Sequence, residues 1–373
     1  MVVLAKGELE QIALPAAVQK APPPLADVPE VDLAAAAGGG VRGREAVARA
    51  VVAACEGHGF FKVTGEGVPT ELLARVEDAA EAFFALPQLE KEAATTVAAA
   101  PAAPGSPFGY ASKRIGSNGD LGWVEYLLLG VTAAGTTAAL SVPGDEASSL
   151  PPVSCSLRDL LDEYVVSVRA MACEVLGLMA EGLGLEEKDV FARLVLDKES
   201  DSMLRVNHYP PRPELKQSAA SAPAAAAAAA AGGHGSRLTG FGEHTDPQII
   251  SVLRSNDTSG LEISLRDGSW AAVPPDRNSF FVNVGDALQV LTNGRFRSVR
   301  HRVMVSSLRP RVSVIFFGGP PPQERLAPLP SLVAEDGGRR RYRDFTWREY
   351  KSWAYRTKLA ENRLCHFETA ARD

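Results

Sequence analysis

His244 and Asp246, one residue apart, and His301 further along the chain supply two imidazoles and one carboxylate in the order His-x-Asp…His. Side chains two apart on a β-strand share a face, so His244 and Asp246 are expected to point together toward one metal ion. The third ligand comes from Ser298-Val299-Arg300-His301-Arg302-Val303. Alternation there sets His301 beside Val299 and Val303 on the apolar face and turns Arg300 and Arg302 away. Such a triad leaves three adjacent coordination positions open on Fe(II), room for a bidentate organic cosubstrate and dioxygen together, which zinc sites rarely need. The chemistry expected is oxygen activation at non-haem iron. Taken alone, His-Thr-Asp is more often a polar turn and a lone inward His a satisfied interior residue, so a second signal is required.

That signal is Arg311 and Ser313, ten and twelve residues past His301 in Arg309-Pro310-Arg311-Val312-Ser313-Val314-Ile315-Phe316-Phe317. A guanidinium inside an apolar strand suffers a heavy desolvation penalty unless a permanent anion meets it, and its planar fork matches a carboxylate. Ser313 shares the strand face and can donate to the same group. Upstream, Arg205-Val206-Asn207-His208-Tyr209-Pro210-Pro211 offers the Tyr209 phenol to the other end of a dicarboxylate lying against iron.

Together, His244, Asp246, His301, Arg311, Ser313 and Tyr209 resemble the site of the iron and 2-oxoglutarate dependent dioxygenases, of the plant type related to isopenicillin N synthase. The resemblance implies that 2-oxoglutarate chelates Fe(II) through its keto acid end while Arg311 and Ser313 hold its distal carboxylate. It implies O2 as co-reactant, and ascorbate as a support of activity. It also implies a mixed α and β fold, a double-stranded β-helix (jelly-roll) core with flanking helices.

The frame agrees. A chain of 373 residues with 46% hydrophobic content can bury a substantial core, here a helical part packed on a β part. The net charge of −6 is modest and the Lys and Arg residues are dispersed, which argues against nucleic acid or an anionic membrane as partner. Cys55, Cys155, Cys173 and Cys365 lie far apart without Cys-x-x-Cys spacing, against a disulfide framework or structural zinc. Charged residues precede any apolar stretch and no later run could span a bilayer, so a cytoplasmic location is expected. Nothing in the sequence fixes an oligomeric state.

Along the chain, residues 1–28 read as a Pro- and Ala-rich arm with strand Pro29 to Leu33 after it; 29–130 as an N-terminal region; 131–197 as a helical block; 198–320 as the jelly-roll core; and 321–373 as a helical C-terminal segment. Ala34 to Gly40 is expected as a loop, Arg44 to Gly57 and Pro69 to Leu86 as helices, and Gly59 to Thr64 as a strand between them. His58, in Gly57-His58-Gly59-Phe60-Phe61-Lys62-Val63, is read as structural. Ser156 to Gly184 carries a broad apolar helical face on which Met171 and Met179 are core filler. Asn293-Gly294 marks a tight turn before the His301 strand. Residues 214–237, with an alanine run from Ala224 to Ala231 and an unpartnered His234, read as a flexible surface insertion. Phe345 to Leu364 is expected as a mixed-charge helix, which the resemblance implies packs near the substrate entrance.

Substrate choice must lie outside the iron site. Gly109 to Leu128 mixes aromatics, cations and turn glycines ahead of an apolar strand. This stretch, with Gly240 to Asn256, closely resembles the gibberellin 2-oxidases, particularly those acting on nineteen-carbon gibberellins, and the resemblance runs from about Val31 to Leu364. It implies 2β-hydroxylation that inactivates the hormone. A rigid polycyclic acid needs an apolar pocket with one or two placed polar contacts. The candidates are Lys113 or Arg114 for its carboxylate and Tyr110, Trp123 and Tyr126 for the walls; Glu125 is expected to pair with one of these cations. Oxidation at another gibberellin position or on a flavonoid, the ascorbate-using sister chemistry, and a hormone-binding protein without turnover stay open on sequence alone.

Overall fold

A computed structural model of the chain describes residues 23–93, 95–96, 108–115, 120–137, 140–141, 152–213 and 238–369. The strands that position the site are, in chain order, β1 (Glu30–Asp32), β2 (Phe60–Thr64), β3 (Thr95–Thr96), β4 (Gly109–Ile115), β5 (Asp120–Gly130), β6 (Leu140–Ser141) and β7 (Met203–Tyr209). They continue with β8 (Thr239–His244), β9 (Ile250–Ser255), β10 (Leu261–Ser264), β11 (Trp270–Ala272), β12 (Phe280–Val284), β13 (His301–Met304) and β14 (Arg311–Gly318). One sheet has the order β1-β2-β12-β9-β14-β7-β5-β4, and a second the order β11-β10-β13-β8. Apart from the parallel β1–β2 pair, neighbours run antiparallel. The result is the expected jelly-roll core with flanking helices.

Period-two alternation sorts the large sheet into two apolar layers. Val312, Val314 and Phe316 of β14, Leu204 and Val206 of β7, and Leu127 and Leu129 of β5 enter the core shared with the helices. Ile315, Tyr209, Leu253 and Phe281 face the smaller sheet, where Phe241, Leu261, Ile263 and Val303 meet them. Helices α1 (Ala34–Gly38), α2 (Gly40–Gly57), α3 (Thr70–Phe84), α4 (Gln88–Ala93) and α5 (Pro152–Gly182) precede β7. In α5 the residues Leu160, Leu161, Tyr164, Val165, Val168, Met171, Ala172, Val175 and Met179 are buried, so both methionines pack as core. Each such Leu or Val is worth about 1.5–3 kcal/mol of burial. Among the described residues, no helix is long and apolar enough to cross a membrane.

Four expectations need adjusting. Ala34 to Gly38 is a short helix: Asp32 Oδ1 accepts from the Ala34 N–H at 2.9 Å, the Leu33 carbonyl accepts from Ala36 and Ala37, and alanine's helix propensity does the rest. The C-terminal stretch is helical only over Trp347–Ala354, started by Thr346 Oγ1 accepting from the Glu349 N–H at 3.2 Å, with a separate 3-10 turn at Arg363–Phe367. Asn293-Gly294 does turn the chain, with φ of 52° and 79°, but it caps the helix Asp286–Leu291, the Gly294 N–H reaching the Gln289 carbonyl at 2.7 Å. Strand β8 ends at His244, leaving Asp246 in the following loop. The alanine-rich stretch 214–237, with His234, lies outside the described residues, as do residues 1–22 of the arm. The arm's described end crosses β11, the Ala26 N–H donating to the Ala272 carbonyl at 2.8 Å. His58 closes α2, its N–H meeting the Ala54 carbonyl at 2.9 Å. Gly59 beside it has φ of 68°, and a Cβ there would stand 1.9 Å from the Arg297 carbonyl oxygen.

Candidate metal and cosubstrate site

Between the two sheets lies a cavity whose wall follows the alternation of three strands. Met203, Arg205, Asn207 and Tyr209 of β7, Arg311, Ser313, Ile315 and Phe317 of β14, and Tyr126 and Leu128 of β5 line it. Register pairs Arg311 with Tyr209, Ser313 with Asn207, and Ile315 with Arg205 in successive rows. The smaller sheet contributes Phe241, His244, Leu261, His301 and Val303, and the C-terminal segment Ala354, Tyr355, Leu359 and Arg363.

His244 and His301 are cross-strand partners on β8 and β13, with ring centroids 4.2 Å apart. Asp246 joins them from its loop, pinned by the Asp286 N–H on its carbonyl at 2.7 Å. Asp246 Oδ1 stands 3.6 Å from each Nε2, and one ligand atom from each of the three residues lies within 4.8 Å of the others. His244 Nδ1 meets the Gly242 carbonyl at 2.8 Å and His301 Nδ1 the Val299 carbonyl at 3.2 Å. A carbonyl only accepts, so each Nδ1 carries the proton and each Nε2 lone pair faces the carboxylate. Burial, reinforced by His301 and only partly offset by Asp246, drives the His244 imidazole well below its usual value and keeps it neutral. Burial opposes ionisation of Asp246, yet His301, His244 and a hydrogen bond from Asn283 outweigh it and hold the carboxyl below the usual range. Two imidazoles and a carboxylate, oriented by their outer hydrogen bonds, are a fitting donor set for Fe(II).

The cosubstrate end is equally marked by what is unpaired. Arg311 is 2% exposed, and among the described residues no side chain accepts from its guanidinium; Nε and the neighbouring Ser313 Oγ are buried polar atoms without partners. Burial pulls the Arg311 pKa down, with the Tyr209 phenol opposing. Two orphaned donors on one strand face fit the distal carboxylate of 2-oxoglutarate. Tyr209 has its ring 5.6 Å from the Arg311 Cζ, and a Cβ on Gly240 of β8 would stand 2.7 Å from that ring, so glycine makes room for it.

Of the residues expected to touch substrate, Tyr126 is on the cavity wall. Tyr110 is not; its hydroxyl donates to Glu125 Oε2 at 2.6 Å on the helix side of the sheet. Trp123 packs with Leu238 and Val305 and donates Nε1–H to the Pro210 carbonyl at 2.9 Å. Lys113, at φ of 65°, sits at a register shift between β4 and β5 and does not line the cavity. The Arg114 side chain lies outside the described residues. Glu125 pairs with Lys91 Nζ at 2.6 Å and His208 Nδ1 at 2.7 Å. Three site residues escaped sequence reading. Asn283 donates to Asp246 Oδ2 at 3.1 Å, while Arg205 and Arg363 put further cations on the wall. A polar side chain in the middle of Phe280-Phe281-Val282-Asn283-Val284 was the available signal for the first.

The fold and this site define a 2-oxoglutarate and Fe(II) dependent oxygenase: residues 200–320 match the family model of the 2OG-Fe(II) oxygenase superfamily, and residues 28–145 that of the non-haem dioxygenase in morphine synthesis N-terminal region. The chain is 51% identical to gibberellin 2-beta-dioxygenase 1 of Pisum sativum over 86% of this chain and 87% of that protein. It is 44% identical to gibberellin 2-beta-dioxygenase of Phaseolus coccineus over 100% of both chains. The crystal structure of JOX2 in complex with 2OG, Fe and JA superposes with a TM-score of 0.72, at 25% identity and 98% coverage of each chain. The protein belongs to the gibberellin 2-beta-dioxygenase family.

Proposed function

We propose that this protein is a gibberellin 2-beta-dioxygenase, hydroxylating gibberellins at the 2β position at the expense of 2-oxoglutarate and O2 and so inactivating the hormone. The observation that carries the reading is the meeting, in one cavity, of the His244–Asp246–His301 cluster with the orphaned donors of Arg311 and Ser313. Relatives of that name at 40–51% identity support the substrate class.

His244, Asp246 and His301 would hold Fe(II) through Nε2, a carboxylate oxygen and Nε2, and Arg311 with Ser313 would take the far carboxylate of 2-oxoglutarate, with Tyr209 alongside. Fe(II) and 2-oxoglutarate bound there would activate O2, the oxidant: oxidative decarboxylation of 2-oxoglutarate would supply two electrons and the substrate C–H bond the other two, one oxygen atom entering the product as hydroxyl and the other the succinate released with carbon dioxide. The chain contributes placement and dryness. Leu128, Met203, Phe241, Ile315, Phe317 and Leu359 form apolar wall around the reacting carbon and exclude water. Asn283 holds the second oxygen of Asp246, leaving the first toward the histidines. Tyr355 and Arg363 close one side from the C-terminal segment, in keeping with a part at the substrate entrance. We read 198–320 as the catalytic core, 29–130 and 131–197 as its N-terminal and helical supports, and 321–373 as the closing segment. We also propose a cytoplasmic location, where thiols such as Cys55, Cys173 and Cys365 stay reduced.

The test is turnover of protein loaded anaerobically with Fe(II), then given O2, 2-oxoglutarate and a panel of gibberellins. Gibberellin-dependent succinate with a 2β-hydroxylated product is expected. Succinate without any gibberellin product would move the substrate elsewhere, and gibberellin binding without succinate would favour a non-catalytic hormone-binding protein.

A further inference from the structure

The cavity holds more positive charge than iron and 2-oxoglutarate account for. Arg311, Arg205 and Arg363 all line it, and each has a buried nitrogen with no partner, Nε in Arg311 and Arg363 and Nη2 in Arg205. Arg363 has a counterion nearby: its Nη1 donates to the Thr245 carbonyl at 3.4 Å, and Thr245 Oγ1 donates to Asp286 Oδ2 at 3.0 Å. Asp286 is buried, its carboxyl pushed up by burial and drawn back in part by Tyr350 and Arg363. Arg311 is the partner of the cosubstrate. With Fe(II) doubly positive, three guanidinium ions, the Asp246 and Asp286 carboxylates and a 2-oxoglutarate dianion, one positive charge remains.

Geometry gives that charge to Arg205. Among the described residues no carboxylate pairs with it; its Nε donates to Asn207 Oδ1 at 2.8 Å, its Cζ lies 3.8 Å from the Tyr126 ring and 5.0 Å from the Phe241 ring, and Nη2 is left over. Arg205 lines the cavity, and the two aromatic rings in contact with its guanidinium favour the cation and restrict where it can point. Arg205 is four residues from Tyr209 along β7, and Tyr209 is the register partner of Arg311. Four residues of strand span about 13 Å of backbone, which sets Arg205 two register rows away from Arg311 on the same wall. A guanidinium held against two aromatic rings, without a carboxylate partner among the described residues and two register rows from Arg311, suits a second, monoanionic carboxylate.

We propose that Arg205, held between Tyr126 and Phe241, receives the carboxylate of the acid substrate and so sets both the choice of an acid and its orientation toward the metal cluster. Lys113 does not line the cavity. The assignment rests on the gibberellin reading above, gibberellins being acids, and the experiment separates the two. Holoenzyme and its Arg205→Met and Arg205→Lys variants are assayed on a gibberellin free acid and on its methyl ester, alongside anaerobic titration of 2-oxoglutarate followed by the visible charge-transfer absorption of its Fe(II) complex. Met at 205 leaves 2-oxoglutarate binding within about threefold, showing an intact fold and metal site. It lowers kcat/KM for the free acid by roughly 100-fold or more, as loss of one partner of a buried charge pair does, and changes that for the ester by less than about threefold. Lys at 205 recovers part of the acid activity. A wild-type enzyme that treats acid and ester alike, or an Arg205→Met variant that loses both equally, overturns the role of Arg205 alone. A wild type that binds 2-oxoglutarate yet turns over no gibberellin overturns the gibberellin reading and this assignment with it.

Discussion

Replacing Arg311 by Met should make the empty protein more stable while crippling its use of cosubstrate. Arg311 is 2% exposed, its Nε has no partner, and the nearest aromatic ring, that of Tyr209, is 5.6 Å from Cζ. A buried cation without a counterion is a burden that an apolar side chain of similar length relieves, by about 1–3 kcal/mol, which raises Tm by a few degrees. The same change removes the charged half of the carboxylate clamp and leaves Ser313 Oγ and the iron to hold 2-oxoglutarate. Loss of one partner of a desolvated charge pair costs about 2–4 kcal/mol, or about 30- to 1,000-fold in the Kd for 2-oxoglutarate. Urea unfolding of the metal-free variant and anaerobic 2-oxoglutarate titration of the Fe(II) form measure the two arms. A variant that is destabilised by more than about 2 kcal/mol and binds 2-oxoglutarate within threefold of wild type would make Arg311 a structural residue and refute the reasoning.

Asn283→Leu should weaken Fe(II) binding by about 10- to 100-fold, read by competition with a chelator, because Asp246 Oδ2 loses the donor that orients it. Glu125→Leu strands the buried Lys91 ammonium and should destabilise the fold by about 3–5 kcal/mol in urea, with 2-oxoglutarate affinity unchanged because the cluster lies on the helix side of the sheet. Burial opposes charge on Glu125, but His208, Lys91 and Tyr110 outweigh it and hold its folded pKa below the ordinary value. Its contribution is therefore complete above about pH 4.3 and lost as pH falls through the folded pKa, so acidification below that point should narrow the gap between wild type and Glu125→Leu. Thr346→Ala removes the cap of Trp347–Ala354 and should lower stability by about 1 kcal/mol, measurable as a shift in the urea midpoint.

The centre of the site was legible because its residues break local rules. A His, an Arg and a Ser on the apolar faces of strands have no reason to be there unless something meets them, and alternation alone says which way they point. Arg205 broke the same rule in Met203-Leu204-Arg205-Val206 and was passed over as a strand residue on the way to Tyr209. The substrate wall was harder to read because it depends on β4 and β5 pairing as a hairpin. At Lys113 the pairing steps from Ser112↔Glu125 to Arg114↔Leu121, a shift of two residues, and of this hairpin's described residues only Tyr126 and Leu128 of β5 reach the cavity wall. Tyr126 alternates onto the cavity while Glu125 turns to the helices, and the partner of Glu125, Lys91, lies on α4, a pairing that no local pattern announces. Asp246 needed no strand to reach its position; the Asp286 backbone N–H holds its carbonyl instead.

The central claim, that His244, Asp246 and His301 hold the iron that couples 2-oxoglutarate oxidation to gibberellin hydroxylation, is met most directly by measuring succinate and 2β-hydroxylated gibberellin together in wild type and His244→Ala. Wild type should form the two one to one, and His244→Ala should form neither while keeping a cooperative urea transition. Product from the variant at the wild-type rate, or hydroxylation without succinate, would contradict the account.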